Sequence, residues 1–510
     1  MKKNPFLQGA MIATIGVVAT KLLGIVYVIP FYAVIGEKGG ALYAYAYSVY
    51  TIFLNLSSVG IPLGMSKLTS EYNALGYYDL REKAFRVGKN FVLLLSGISF
   101  IILLGFAPYI AKVFIGNVEG GNTPEDVAFV IRIVSSAILV VPVLGVTRGY
   151  LQGGRFITPS SISQVLEQAV RVLVIVAGSY LVVRVLDMPI TTAVAVAVVA
   201  ATIGAAIAYA YLIVKMRTHQ EALTVNNQVI NKSPNVSSKQ ILIKLLTYAV
   251  PFVLTGFIIS FYTFVDLATI VNTMANSLNY DVIEAETVVS VLSTWGQKLN
   301  MIVFSIATGI TVSLLPNITE SFVRKNLDDV RLKINRAIQV LLYVTVPMAL
   351  GLSLLASPVW TVFYGYNEVS ILVFRYSIFI AVFLSLFTIL NVIIQSLNEY
   401  KKMITFILIG FLFKVVFNIP LMHTFHSIGF HASYGVITAT IIGYSITCML
   451  ILRHLIKKIK ISYEETFNKL LDIIVASMIM TIVVLLLQLI IDIDVQNRLA
   501  AILLIILYSV

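Results

Sequence analysis

Six ionisable side chains lie where the surrounding residues read as hydrocarbon. Lys21, Arg171, Lys298 and Lys414 are basic, Glu167 and Asp266 acidic, and each sits well inside an apolar run. A charge at that depth costs about 2.5–3.5 kcal/mol on insertion scales unless it faces a partner or a watery cavity. Glu167 and Arg171 stand four residues apart, so they share one helix face and can brace each other. Lys21, in Thr20-Lys21-Leu22-Leu23-Gly24, would have to reach roughly 15 Å to leave the hydrocarbon, more than a snorkelling lysine stem can span. Lys298 follows Trp295 and Gln297 with no carboxylate close to it in sequence. Lys414 is flanked by Phe413 and Asn418, and Asp266 is expected to pair with Lys298 or Lys414 or to bind a coupling cation. Four deep cations against two acids make a net cationic interior. Such an interior suits an anion, and phosphate or diphosphate is the natural guest of amine and guanidinium donors. Lys67 with Glu71, and Arg148, fall at helix ends, where they would form a gate or fix the interface. Arg375 lies near enough to a span end to snorkel. His423, His426 and His431 lack the converging ligands that a metal needs, so no metal site is expected.

The elements that position these charges are membrane helices. Of 510 residues 59% are hydrophobic and only 12% charged, against about half and a quarter in a soluble domain. Mean hydropathy is +0.93. The chain is therefore an all-α polytopic membrane protein, since long apolar runs satisfy their backbone in lipid only as helices. The runs predict spans near 9–33, 42–66, 88–115, 128–150, 160–184, 189–214, 242–273, 286–315, 335–361, 368–396, 402–422, 432–455 and 470–491, with a fourteenth from about 497. That last run would rise only about 18 Å as a helix, which favours a chain that stops before its natural end. With the N-terminus placed in the cytoplasm, five of the 36 Lys and Arg fall outside and five within spans, leaving 26 on the cytoplasmic side. This asymmetry predicts a multi-pass membrane protein with a cytoplasmic N-terminus. It also accounts for the net charge of +12 without nucleic acid. Cys448 stands alone, so the chain holds no disulfide framework. The first apolar run is too long for a cleavable signal peptide and lacks a cleavage site.

The chain reads as duplicated. Gln152 and Arg171 are answered by Gln395 and Lys414, both pairs nineteen residues apart, and Gly60-Ile61 with Glu71 and Asp79 by Gly309-Ile310 with Glu320 and Asp328. Six spans on each side of a polar linker give two pseudo-symmetric six-helix lobes of like orientation, expected to enclose a central cavity, with two extra helices added. The expected division is an N-lobe at 1–214, a linker at 215–241, a C-lobe at 242–455 and the added spans at 456–510. The linker, rich in Asn, Ser and Gln, reads as flexible. No G-x-x-x-x-G-K-[ST] loop is present, so transport would draw on the membrane potential or a coupling monovalent cation rather than on a nucleotide. No other cofactor is expected. Moving one negative charge outward is favoured by about 2.3 kcal/mol per 100 mV.

The stretches TKLLGIVYVIPFYAVIGEKGGALYAYAYSVYTIF, SSVGIPLGMSKLTSEYNALG and RGYLQG…TPSSISQVLEQAVRV resemble the lipid II flippase and stage V sporulation protein B branch of the multidrug/oligosaccharidyl-lipid/polysaccharide exporter superfamily. The resemblance covers essentially the whole chain. It implies fourteen spans, alternating access, and a monomer in contact with membrane lipid. The implied cargo is an undecaprenyl-diphosphate-linked peptidoglycan precursor, lipid II, carried from the cytoplasmic to the outer leaflet. It also implies a groove for the lipid tail at the last two spans, and basic cargo-binding positions at Lys21 and Lys298. Gram-negative members carry an Arg-Asp pair where this chain has Tyr27-Val28. The residues leave two other transport readings open: a flippase for another polyprenyl-linked glycan, or a cation-coupled drug or metabolite antiporter, which would want an available acid in the first lobe. A membrane glycosyltransferase or ligase would need a catalytic acid on sizeable outer loops. Those loops are short, with Glu125-Asp126 the best offering, so an enzyme is not expected. A non-transporting morphogenesis scaffold would have no use for the deep charges.

Overall fold

Apolar runs of twenty-odd residues leave the backbone no partner but itself, and every described element is a helix. The computed structural model describes residues 23–24, 27–55, 60–116, 120–154, 156–218, 234–490 and 496–509. Lys21 and most of the polar linker lie outside them. Ten helices among the described residues are long and apolar enough to cross a membrane.

By Cα packing the chain forms two units, Met1–Phe264 and Val265–Val510. The first contains α1 (Val28–Leu54), α2 (Gly60–Ala74), α3 (Tyr78–Ile115), α4 (Pro124–Gly153), α5 (Ile157–Val185), α6 (Ile190–Thr218) and the first part of α7 (Ser238–Leu278). The second holds the rest of α7 and α8 (282–323), then α9 (Leu327–Leu354), the short α10 (Ala356–Tyr364), α11 (Glu368–Ser396), α12 (Tyr400–Ser427), α13 (Ser433–Ile459), α14 (Glu464–Ile490) and α15 (Arg498–Ser509).

The third to seventh and the ninth to thirteenth expected spans recur among these helices, and one adjustment falls between the first two. Spans one and two are joined not by a loop but by a single residue inside α1, Gly36, at φ 61° and ψ −159°. Only glycine adopts that conformation without strain. Of the expected second span, residues 56–59 lie outside the described residues, with α1 before them and α2 from Gly60 after them.

Helix ends bear out the duplication. α4 ends at Gly153 and α11 at Ser396, α5 starts at Ile157 and α12 at Tyr400, and α6 starts at Ile190 and α13 at Ser433, one constant offset throughout. The turns are braced alike, Gln152 Nε2 donating to Ser160 Oγ at 2.9 Å and Gln395 Nε2 to Met403 Sδ at 3.2 Å, each eight residues ahead. The α2–α3 turn, Ala74 to Tyr78, recurs as Val323 to Leu327.

The first unit's core gathers on α2. Ile61, Met65 and Leu68 pack with Leu144 and Tyr150 of α4, Ala208 of α6 and Leu245 and Ala249 of α7. Backbones come close because the contact residues are small. A Cβ on Gly60 would strike the Ala249 carbonyl of α7, and one on Gly153 of α4 would strike the Ser66 carbonyl of α2. This packing is why the unit boundary falls inside α7, at Phe264, rather than at the 215–241 linker: the start of the expected C-lobe is packed onto α2.

In the second unit α14 leaves a row of large apolar side chains uncovered, including Phe467, Leu471, Met478 and Leu489. In a membrane helix such a row faces acyl chains.

Candidate functional site

Four of the six deep charges fall into two clusters, one in each unit. In the first, α4 supplies Arg148 and α5 supplies Ser163, Glu167 and Arg171, one helical turn after another along a face. Arg148 Nη1 donates to Glu167 Oε2 at 2.8 Å, and Arg171 Nη2 donates to Glu167 Oε1 at 2.6 Å. Arg148 Nε donates to Ser163 Oγ at 2.8 Å. The three charged side chains are 13–17% exposed. One carboxylate thus stands between two guanidinium groups, and the cluster keeps one net positive charge. Arg148 Nη2 and Arg171 Nε are buried with no hydrogen-bond partner among the described residues. Donors held dry and unused are what a phosphate oxygen would satisfy.

Arg148, expected to form a gate or fix the interface, is joined to the Glu167 cluster. The gate pair is rearranged as well. Glu71 accepts from Lys244 Nζ of α7 at 2.6 Å and from Tyr248 Oη at 3.2 Å, and Lys67 lies over the Tyr248 ring at 4.1 Å. The charges at 67 and 71 of α2 face the complementary positions 244 and 248 of α7, an i,i+4 match between two helices.

In the second unit Lys414 is fully buried, and its Nζ meets Asp266 Oδ1 at 2.5 Å. Of the expected alternatives for Asp266, this is the pairing with Lys414. The two charges neutralise each other in this arrangement. Lys298 lies half-buried on α8, three residues past a π turn at Val291–Trp295. In α5 a π turn at Val174–Gly178 begins three residues past Arg171. Such turns widen the helix and are frequent beside functional sites. Arg375 is exposed, as a snorkelling residue would be.

Asp126, half of the best acidic pair on the short loops, is used structurally. Its Oδ2 completes a capping box with Thr123 at the start of α4, and its Oδ1 accepts from Thr191. His431 bonds Glu284 and His426 bonds Tyr280, and among the described residues no three metal-binding side chains converge. An apolar cavity of about 420 Å³ between α9 and α14 is lined by Val346, Leu350, Ile474, Met478, Thr481 and Ile482. It adjoins one of the two added spans.

Four comparisons bear on what this geometry serves. The family described as polysaccharide biosynthesis protein matches residues 6–322. The lipid II flippase MurJ of Bacillus subtilis (strain 168) is 33% identical over 452 residues, covering 86% of this chain and 80% of that protein. A solved lipid II flippase MurJ in an inward closed conformation superposes with a TM-score of 0.67 at 17% identity, covering 98% of each chain. An inward-facing multidrug resistance MATE family transporter of the MOP superfamily superposes at 0.66 with 15% identity, covering 88% of this chain and 99% of that one. At those identities the two superpositions speak for the fold alone.

Proposed function

We infer, from a chain that belongs to the polysaccharide biosynthesis protein family, that this protein is a lipid II flippase. It carries the undecaprenyl-diphosphate-linked peptidoglycan precursor from the cytoplasmic to the outer leaflet by alternating access. The observation that carries this reading is the one-third identity to the Bacillus subtilis flippase over most of both chains. The protein is a multi-pass membrane transporter and not an enzyme.

The site follows from charge. In the first unit the diphosphate is held by Arg148 and Arg171, each with a buried N–H group that no described residue accepts; Lys21 and Lys298 are the further cargo-binding positions that the family likeness suggests. Glu167 keeps the two guanidinium groups apart and in register, so that they receive the headgroup without first repelling each other. Lys67, Glu71, Lys244 and Tyr248 close the cytoplasmic ends of α2 and α7. The acyl tail lies along α14, where the uncovered apolar row and the cavity beside α9 offer it a dry face. The N-terminus is cytoplasmic, the protein acts as a monomer, and the membrane potential drives the anionic headgroup outward. An antiporter needs an available acid in the first unit, and Glu167 is bonded on both oxygens.

The experiment is complementation of a flippase-depleted strain, with a leaflet-accessibility assay for lipid-linked precursor. Lys21→Ala, Lys298→Ala and Arg171→Ala should each reach the membrane yet leave precursor on the cytoplasmic side. Normal growth and normal precursor exposure with Lys21 and Lys298 both replaced would overturn the site.

A further inference from the structure

The surroundings of Lys414 are unlike those of an ordinary buried ion pair. Four oxygens from three helices converge on one nitrogen: Asp266 Oδ1 of α7 at 2.5 Å, Asn418 Oδ1 of α12 and Thr440 Oγ1 of α13 both at 2.7 Å, and the Val436 carbonyl of α13 at 3.1 Å. An ammonium has three hydrogens, so four acceptors exceed what it can satisfy one to one. The oxygens are also fixed from behind. Asn418 Nδ2 donates to Thr269 Oγ1 at 2.7 Å, which turns its carbonyl toward the amine. Thr440 Oγ1 donates its own proton to the Val436 carbonyl at 3.1 Å, so only its lone pairs face inward.

A carboxylate, an amide oxygen, a hydroxyl and a backbone carbonyl form the ligand set of a hard cation. One carboxylate gives the shell a charge of minus one, matched to a single positive charge and too little for a divalent ion. The geometry points to an oxygen cage for a monovalent cation in which the Lys414 ammonium is the permanent, covalently attached occupant. A carrier that coordinated sodium or potassium here would take its positive charge from solution on each cycle. This chain holds that charge on α12, and the second unit therefore needs no soluble alkali ion to neutralise Asp266. The inference goes beyond the flippase reading and does not depend on which cargo is carried.

The test uses the full-length protein in detergent, with thermal unfolding followed in sodium, potassium or N-methylglucamine chloride at one ionic strength. Wild-type protein should melt at the same temperature in all three. Lys414→Ala empties the cage; it should melt lower in N-methylglucamine and recover saturably, by several degrees, as sodium or potassium is added. Adding Asp266→Asn to that variant should abolish the recovery. Should Lys414→Ala yield folded protein only when prepared in sodium or potassium throughout, the proposal is supported; if it fails in every salt, Lys414→Ser takes its place. A Lys414→Ala or Lys414→Ser protein whose melting ignores alkali ions would overturn the proposal. So would a wild-type protein stabilised by sodium or potassium in a way that Asp266→Asn removes.

Discussion

Removing Glu167 should leave two buried guanidinium groups facing each other. Their N–O contacts of 2.8 and 2.6 Å put each pair of charge centres roughly 4 Å apart, where unit charges attract by about 4 kcal/mol at the screening typical of proteins. Mutual repulsion of Arg148 and Arg171 and the desolvation of all three groups offset much of that. The measured cost of stripping one partner from a buried ionic cluster is about 3–5 kcal/mol, because a charge is left uncompensated. Glu167→Ala should therefore lose about 3–5 kcal/mol of unfolding free energy, measured by titrating SDS into mixed micelles while following helical circular dichroism. Glu167→Ala combined with Arg148→Met and Arg171→Met should recover most of the loss, to within about 1 kcal/mol of wild type, since buried ion clusters replaced as a whole by apolar groups are often neutral. Flippase activity should stay lost in the triple variant. A single variant costing under about 1 kcal/mol, or a triple variant no better than the single, would refute the burial and mutual neutralisation of these charges.

Three smaller predictions rest on other contacts. Gly153→Leu drives a side chain into the Ser66 carbonyl and should destabilise the α2–α4 packing by about 1–3 kcal/mol, read in the same SDS titration against Gly97→Ala, which meets open space. Gly36→Ala has room for its methyl but not the backbone freedom, and should cost about 1–3 kcal/mol; an unchanged melting temperature would count against the turn. Glu399, in the turn between α11 and α12, is held below the ordinary glutamate value of 4.5 chiefly by its hydrogen bond from Lys458. A lowered carboxylate contributes stability that is complete above 4.5 and is lost as pH falls through the folded value. Melting temperature should fall with acidification below pH 4.5 in wild type and less steeply in Glu399→Gln; parallel curves would exclude the bond.

Hydropathy made the spans legible because lipid leaves the backbone little choice: the run expected at 368–396 is the helix Glu368–Ser396. The duplication was legible for a related reason, since Gln152 and Gln395 are polar residues that such turns need. The pairing partners were mostly not legible. Arg148 and Glu167 lie nineteen residues apart across a turn, and Lys244 lies 173 residues from Glu71, so no local spacing announces either bond. A signal existed in the second case, the matching i,i+4 spacing of 67 with 71 and 244 with 248. The cage around Lys414 was half visible, through Asn418 one turn on and Asp266 as the acid deep in the second half. Thr440 and the Val436 carbonyl carry no charge and could not be singled out. Lys21, the charge whose depth argued most for function, lies outside the described residues, and its part rests on sequence alone.

Spans one and two hinge on Gly36 alone, and this bears on how the chain is made. The charged residues that follow it, Glu37 and Lys38, are carried within α1 rather than on a free loop. A tag or protease site spliced in at Gly36 therefore interrupts a continuous helix instead of lengthening a loop, and insertions there should be tolerated far less well than in the polar linker.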